Sequence, residues 1–295
     1  MQSKLVLSPI GIGTYLGNAD EATDRSYANA IVRAVQLGVN VIDSAANYRF
    51  QRSERSIGAA LKTLAAEHGV SRDKLVICTK GGYLPFDGAP PRNVREYVNE
   101  TFVKPGIARF EDFVGGSHCM TPAYLQSQID QSLRNMGLES VDVYYIHNPE
   151  SQLGEVSKDE FYSRLKLAFE RLEENRADGK LTYYGVATWN GFRAAPDSKN
   201  HHSLERMFEI AREVGGDDHG FRFIQLPFNL AMQEGMPALE VAKRLGVTAV
   251  ASATLLQGRI DPKTAIEFVR SVPEITTALI GMSRVEHVEQ NLGHD

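Results

Sequence analysis

Four side chains in the first half of the chain are of the right types to deliver a proton to a carbonyl oxygen. Asp43 ends the run Val39-Asn40-Val41-Ile42, and Tyr48 follows it closely; Lys80 ends Leu75-Val76-Ile77-Cys78-Thr79; His147 ends Val141-Asp142-Val143-Tyr144-Tyr145-Ile146. A phenol is a weak acid, with an ordinary pKa near 10. A lysine ammonium within about 4–6 Å favours the phenolate and is expected to lower that pKa by roughly 1–3. A buried lysine tends to lose its proton, so a carboxylate such as Asp43 is needed to keep it cationic. A neutral histidine can hold the carbonyl oxygen by a hydrogen bond. Tyr48 would then protonate the developing alkoxide, a transfer typically worth about 10²–10⁴ in rate. None of the four supplies a hydride, so a reduction needs a cofactor.

Singly, each residue has a structural explanation: a helix cap at Asp43-Ser44, a strand-end lysine, a core histidine, a loop tyrosine. Together they stand at or just past the ends of successive apolar runs. That is how a (β/α)₈ barrel collects an active site at the carboxyl ends of its strands.

Those runs alternate with helical patterns along most of the chain, which argues for βα units and a parallel sheet. After Ile10-Gly11-Ile12-Gly13 the spacing predicts a helix over residues 21–37, with Gly38 as its C-cap. Further helices are expected near residues 53–64, from Thr121-Pro122 onward with Thr121 as N-cap, and through Phe161, Leu165, Phe169 and Leu172. Strands at 182–186, 223–225, 248–251 and 277–280 alternate with helices at 203–214, 237–245 and 262–269. Eight strand candidates in βα order predict an α/β chain folded as a (β/α)₈ TIM barrel, one domain over residues 1–295. The competing doubly wound sheet calls for a Gly-x-Gly-x-x-Gly turn. Gly11-Ile12-Gly13-Thr14-Tyr15-Leu16-Gly17 misses it by one residue.

One segment breaks the rhythm: residues 81–120 separate the third strand from its helix. Loops this long are usually functional or disordered. This one holds a candidate helix (93–102) and Tyr83, Phe86, Tyr97, Phe102, Phe110 and Phe113, so it is expected to act as a lid or pocket wall.

The net charge of −5 gives no reason to expect nucleic acid or an anionic membrane as a partner. No apolar run approaches the roughly 20 residues of a membrane helix, and the N-terminus lacks the pattern of a signal peptide. Two cysteines, Cys78 and Cys119, make no disulfide framework, so the expected location is cytoplasmic. His118-Cys119 and His201-His202 lack the further ligands of a zinc site and read as loop residues; no metal is expected.

The motifs in order resemble the aldo-keto reductases over nearly the whole chain. Gly11-Ile12-Gly13-Thr14-Tyr15 is similar to that family's opening Gly-x-Gly-Thr. Asp43-Ser44-Ala45-Ala46-Asn47-Tyr48, with Ser53-Glu54 and Ile57-Gly58, is similar to its Asp-x-Ala-x-x-Tyr region. Ile77-Cys78-Thr79-Lys80 and Asp142-Val143-Tyr144-Tyr145-Ile146-His147-Asn148-Pro149 resemble its lysine and histidine segments.

The resemblance implies a barrel that binds NADPH, with NADH as the other cofactor, and reduces an aldehyde or ketone or runs in reverse. The partner is then a small carbonyl or alcohol. It implies Asp43, Tyr48, Lys80 and His147 as the catalytic set. It also implies cofactor contacts at Gly13, Thr14, Asp43, Thr188, Gln225, Ser252, Leu255, Gly281, Ser283, Arg284, His287, Gln290 and Asn291. Gln225 matches the glutamine that holds the carboxamide, and Arg284 and His287 are placed for a 2′-phosphate.

The chain departs from the family in Gly185-Val186-Ala187-Thr188-Trp189, where Ala187 and Thr188 replace a Ser-Asn pair. Thr188 still offers one hydrogen bond to a cofactor. Ser252 stands where a stacking aromatic is common, leaving Trp189 or Phe50 to compensate. The alternative implied reading is a cofactor-holding regulatory protein of low turnover, as with potassium-channel β subunits.

Overall fold

The long apolar runs are strands buried on both faces, as a parallel sheet covered by helices requires. The computed structural model describes residues 3–293. Strands β1 (Ile10–Gly13), β2 (Val41–Asp43), β3 (Val76–Gly81), β4 (Val141–His147), β5 (Leu181–Ala187), β6 (Phe221–Pro227), β7 (Thr248–Ser252) and β8 (Ile275–Gly281) close into a barrel in chain order. The closure pairs Gly11 with Leu279 and Gly13 with Gly281. Helices α1 (Glu21–Gln36), α2 (Arg52–His68), α3 (Val94–Val98), α4 (Pro122–Met136), α5 (Lys158–Ala177), α6 (Leu204–Gly215), α7 (Met236–Leu245), α8 (Pro262–Arg270) and α9 (Val285–Leu292) complete the chain. The architecture is the expected (β/α)₈ barrel. Gly11 and Gly13, two of the three glycines in the near-match to a dinucleotide turn, lie on strand β1 instead.

Strand alternation sorts the core into two parts. Ile42, Ile77, Tyr144, Ile146, Val186, Ile224 and Ile280 belong to the large cluster between barrel and helices. Val41, Val76, Cys78, Val143, Tyr145, Phe223, Val250 and Leu279 fill the barrel interior. Continuing that inward series brings Asp43, Lys80, His147, Gln225 and Ser252 to the carboxyl-end rim.

Local signals set most of the boundaries. Asp20 accepts from the Thr23 N–H at 2.8 Å and starts α1, and Gly137, at φ 66°, ends α4. Thr121 does precede α4 in extended conformation, but its side chain makes no capping bond. Its hydroxyl instead lies 3.3 Å from Cys119 Sγ.

Residues 81–120 fold mostly against α4. The expected helix is split into α3, capped by Asn93, and a wider π turn at Asn99–Val103. Leu84, Val98, Phe102, Phe113 and Cys119 pack with Tyr124 of α4 into an apolar cluster of their own. Among the described residues no helix is long and apolar enough to cross a membrane, and no group of three or more His, Cys, Asp or Glu could hold a metal.

Candidate active site

At the carboxyl ends of the strands lies a cavity of about 460 Å³. Gly13, Asp43, His147, Ala187, Gln225, Ser252 and Gly281 line it from seven strands, with Tyr48 beside them. Lys80 stands just behind this lining, fully buried. Its ammonium donates to Asp43 Oδ2 and, at 2.7 Å, to the Ser44 carbonyl. It lies 4.9 Å from the Tyr48 ring centroid. The other Asp43 oxygen accepts from Gln225 Nε2 at 2.8 Å. The four residues suggested by the sequence are therefore brought together.

Burial works against the Lys80 ammonium, but the Asp43 carboxylate and then Tyr48 outweigh it and hold its pKa above the ordinary lysine value. Asp43 is pushed up by burial against the pull of Lys80. Tyr48 departs from expectation. Burial raises its pKa, Lys80 pulls it down without prevailing, and Asp43 pushes it up again. The ammonium is partnered by a carboxylate, so its net field at Tyr48 is weaker than that of a free cation. Tyr48 is thus held as the neutral phenol through neutral pH.

Burial, with Lys80 and His118 adding to it, drives His147 well below the ordinary histidine value, so its ring is neutral. Its Nδ1 is buried without a hydrogen-bond partner. The ring stands edge-on to Tyr48, with centroids 5.6 Å apart. Tyr15, not singled out from the sequence, packs edge-on to Tyr48 at 5.0 Å and lines the same cavity.

The backbone after Tyr48 is unusual. Arg49, Phe50 and Gln51 are all left-handed, at φ 48°, 58° and 69°. Such strain needs support from outside the turn. Arg49 Nε donates to the Asn18 carbonyl at 2.8 Å and Gln51 Nε2 to the Pro85 carbonyl at 3.0 Å. Ser53 Oγ donates to the Thr14 carbonyl at 2.7 Å, and Glu54 accepts from Thr79 Oγ1 at 2.6 Å and Asn135 Nδ2 at 2.8 Å. The Ser53-Glu54 pair is thus bracing between elements.

The residues proposed as cofactor contacts divide. Gly13, Thr14, Gln225, Ser252, Leu255, Gly281, Ser283, His287, Gln290 and Asn291 all line the cavity. Thr188 also lines it, but its hydroxyl is already committed. It donates to Glu150 Oε1 at 2.9 Å and accepts from Gly191 N–H at 2.6 Å. What remains for a cofactor is one acceptor lone pair on that oxygen, not its proton. The cause is Glu150, which also accepts from the Trp189 and Asn190 N–H groups at 2.7 and 2.8 Å. Glu150 lies two residues beyond Asn148 in the segment that carries His147, and only its burial against the turn after β5 reveals its role.

Arg284 stands just outside the lining, as the residue preceding α9, with Nη2 2.6 Å from His287 Nε2. Of the two compensating aromatics, Trp189 lines the cavity, whereas Phe50 packs on Phe86 at 6.3 Å. The lid expectation for residues 81–120 is corrected. None of them lines the cavity, because their aromatics are spent on the cluster over α4. The segment meets the site from behind, through Tyr83 and His118. His118 and His202, read as loop histidines, are both buried.

Comparison with known proteins gives these features a setting. The chain is 28% identical over 188 residues to D-threo-aldose 1-dehydrogenase of Pseudomonas sp, covering 62% of this chain and 51% of that protein. It is 26% identical over 188 residues to the NADH-specific methylglyoxal reductase of Escherichia coli strain K12, covering 62% and 49%. The chain spans about half the length of these curated relatives. The fold is similar to an aldo/keto reductase from Klebsiella pneumoniae solved with NADP and acetate, with TM-score 0.65, 18% identity and 97% and 85% of the two chains covered. A model of the aldo/keto reductase family matches residues 9–268. With that match running from β1 through β7 of the closed barrel, the chain belongs to the aldo/keto reductase family.

Proposed function

We propose that this protein is an NADPH-dependent oxidoreductase, with NADH as the alternative cofactor, that interconverts a small aldehyde or ketone and its alcohol. The observation that carries the reading is the buried Asp43–Lys80 pair set 4.9 Å from the Tyr48 ring in the floor of a cavity of about 460 Å³. That volume lies within the range of about 300–1,000 Å³ usual for small-molecule sites. A nicotinamide cofactor supplies the hydride when bound.

Everything else is assigned to this chain's residues. Tyr48, neutral at pH 7, gives its phenolic proton to the substrate oxygen as negative charge develops there. Lys80 steadies the phenolate left behind, and Asp43 keeps Lys80 charged. His147, neutral, donates a hydrogen bond to the same oxygen. Gln225 spends its amide N–H on Asp43, which leaves its amide oxygen to accept from a carboxamide.

Support for a nucleotide end comes from Asn291, whose Oδ1 is buried without a partner, and from Ser283, His287 and Gln290 lining the cavity beside it. The Arg284–His287 pair adjoins that end and favours a 2′-phosphate, hence NADPH. The commitment of Thr188 to Glu150 and the lack of an aromatic at Ser252 favour a second reading, a cofactor-holding protein of low turnover.

Steady-state reduction of an aldehyde and ketone panel with each cofactor separates the two. The first reading expects turnover that Tyr48→Phe lowers by at least about 10². Undiminished turnover in that variant would remove Tyr48 as the acid, and negligible turnover by the native protein would leave the second reading.

A further inference from the structure

Catalytic histidines are usually oriented by a hydrogen bond from the ring nitrogen that faces away from substrate. His147 has no such bond: its Nδ1 is buried and unpartnered. Something else must hold the ring. Two groups from residues 81–120 are in place to do so. Tyr83 stands edge-on to His147 with centroids 5.2 Å apart at 87°, on a ring already contacted by Tyr48. His118 Nε2 lies 2.8 Å from the His147 carbonyl and, with that oxygen as acceptor, is the donor.

Both groups are themselves held. Tyr83 packs edge-on to His118 at 5.0 Å, and its hydroxyl lies 2.8 Å from Ser151 Oγ. His118 Nδ1 accepts from Gln152 Nε2 at 2.9 Å, and Gln152 Oε1 accepts from Arg164 at 2.8 Å. A short antiparallel contact, Tyr83 opposite His118, sets the pair side by side. Gly82 makes room: at φ 140°, a Cβ there would come within 2.8 Å of His118 Nε2 and 3.1 Å of the His147 carbonyl.

We propose that Tyr83 and His118 are positioning residues that fix the orientation of His147, so that residues 81–120 act on the site from behind. With Nδ1 enclosed and lacking an acceptor, the tautomer carrying hydrogen on Nε2 leaves only a lone pair unsatisfied, the less costly choice. That tautomer turns an N–H donor toward the cavity. The kinetic part of the test rests on the oxidoreductase reading; the spectroscopic part does not.

His118→Phe keeps a ring against Tyr83 but removes the donor, whereas His118→Gln restores an N–H donor of similar reach. For both variants and the native protein, the His147 imidazole ¹⁵N resonances are recorded, assigned with His147→Asn. Turnover is measured alongside, and cofactor affinity is read by quenching of Trp189, the chain's one tryptophan. His118→Phe is expected to shift the His147 resonances and lower kcat on the order of tenfold to a hundredfold, with cofactor Kd unchanged. His118→Gln is expected to recover most of both. Tyr83→Leu should reproduce the defect and Tyr83→Phe should not.

Unchanged His147 resonances in His118→Phe would overturn the proposal, as would equal impairment of the Phe and Gln variants with a matching fall in Tm. A native protein without turnover would count against the oxidoreductase reading alone, and the resonances would still decide this one.

Discussion

Lys80 carries an ammonium group into the barrel interior, where a charge without a partner would be expelled or neutralised. Asp43 prevents this, and Gln225 and Ser44 occupy the remaining polar groups nearby. Asp43→Asn is therefore expected to lower stability by roughly 3–5 kcal/mol, measured by chemical denaturation, because it leaves a buried cation uncompensated. The same pair shapes Tyr48. Burial raises its pKa and Lys80 does not reverse the shift. The acid form then persists through neutral pH and is lost only as pH rises past the ordinary tyrosine value, near 10. In the reductive direction kcat should be level from pH 7 to 9; a descending limb inside that window, absent in Tyr48→Phe, would show the phenol to be more acidic than the structure implies.

At the scale of elements, the site depends on how neighbouring strands are staggered. The β5–β6 register shifts between Tyr184 and Gly185, and the shift sets Ala187 opposite Gln225. Gly185 permits it: a Cβ there would lie 1.9 Å from the Phe223 carbonyl oxygen. Gly185→Ala must push the two strands apart, with an expected cost of at least about 1–3 kcal/mol. Because Gln225 moves with β6, cofactor affinity should weaken beyond what the fall in Tm alone would produce; titration of Trp189 fluorescence checks this.

The strands were legible in the sequence as continuous apolar runs, since burial on both faces removes polar alternation. Residues 81–120 were not, because their aromatics satisfy one another and α4, and nothing local says which surface such a cluster covers. Glu150 escaped notice for a related reason: its three donors come from a turn some forty residues away.

The whole molecule buries several histidines in neutral form. His118 is driven down to about 4 and His202 to about 3, both by burial first, and His147 falls well below the ordinary value. Each is neutral when folded, whereas the unfolded chain takes up a proton near pH 6.5. Their contribution is therefore complete above that value and is lost as pH falls from it toward the folded values. His202 isolates the effect, since both its ring nitrogens are buried without partners. Between pH 7.5 and 5.5, His202→Leu should lose about 1 kcal/mol less stability than the native protein, by denaturation at each pH. Parallel losses would mean that His202 gains access to water or a partner in solution.

The sequence by itself determined the barrel, its strand order and the four residues proposed to do the chemistry. Periodicity and composition report burial directly, and an inward residue at a strand's carboxyl end has only one place to go. Tertiary structure alone decided the rest: that Tyr48 sits above rather than below its ordinary pKa, that Glu150 takes the hydroxyl proton of Thr188, and that residues 81–120 brace His147 instead of covering the site. Each of these is a balance among groups distant in the chain, and such balances depend on distances of a few ångströms that no local pattern encodes.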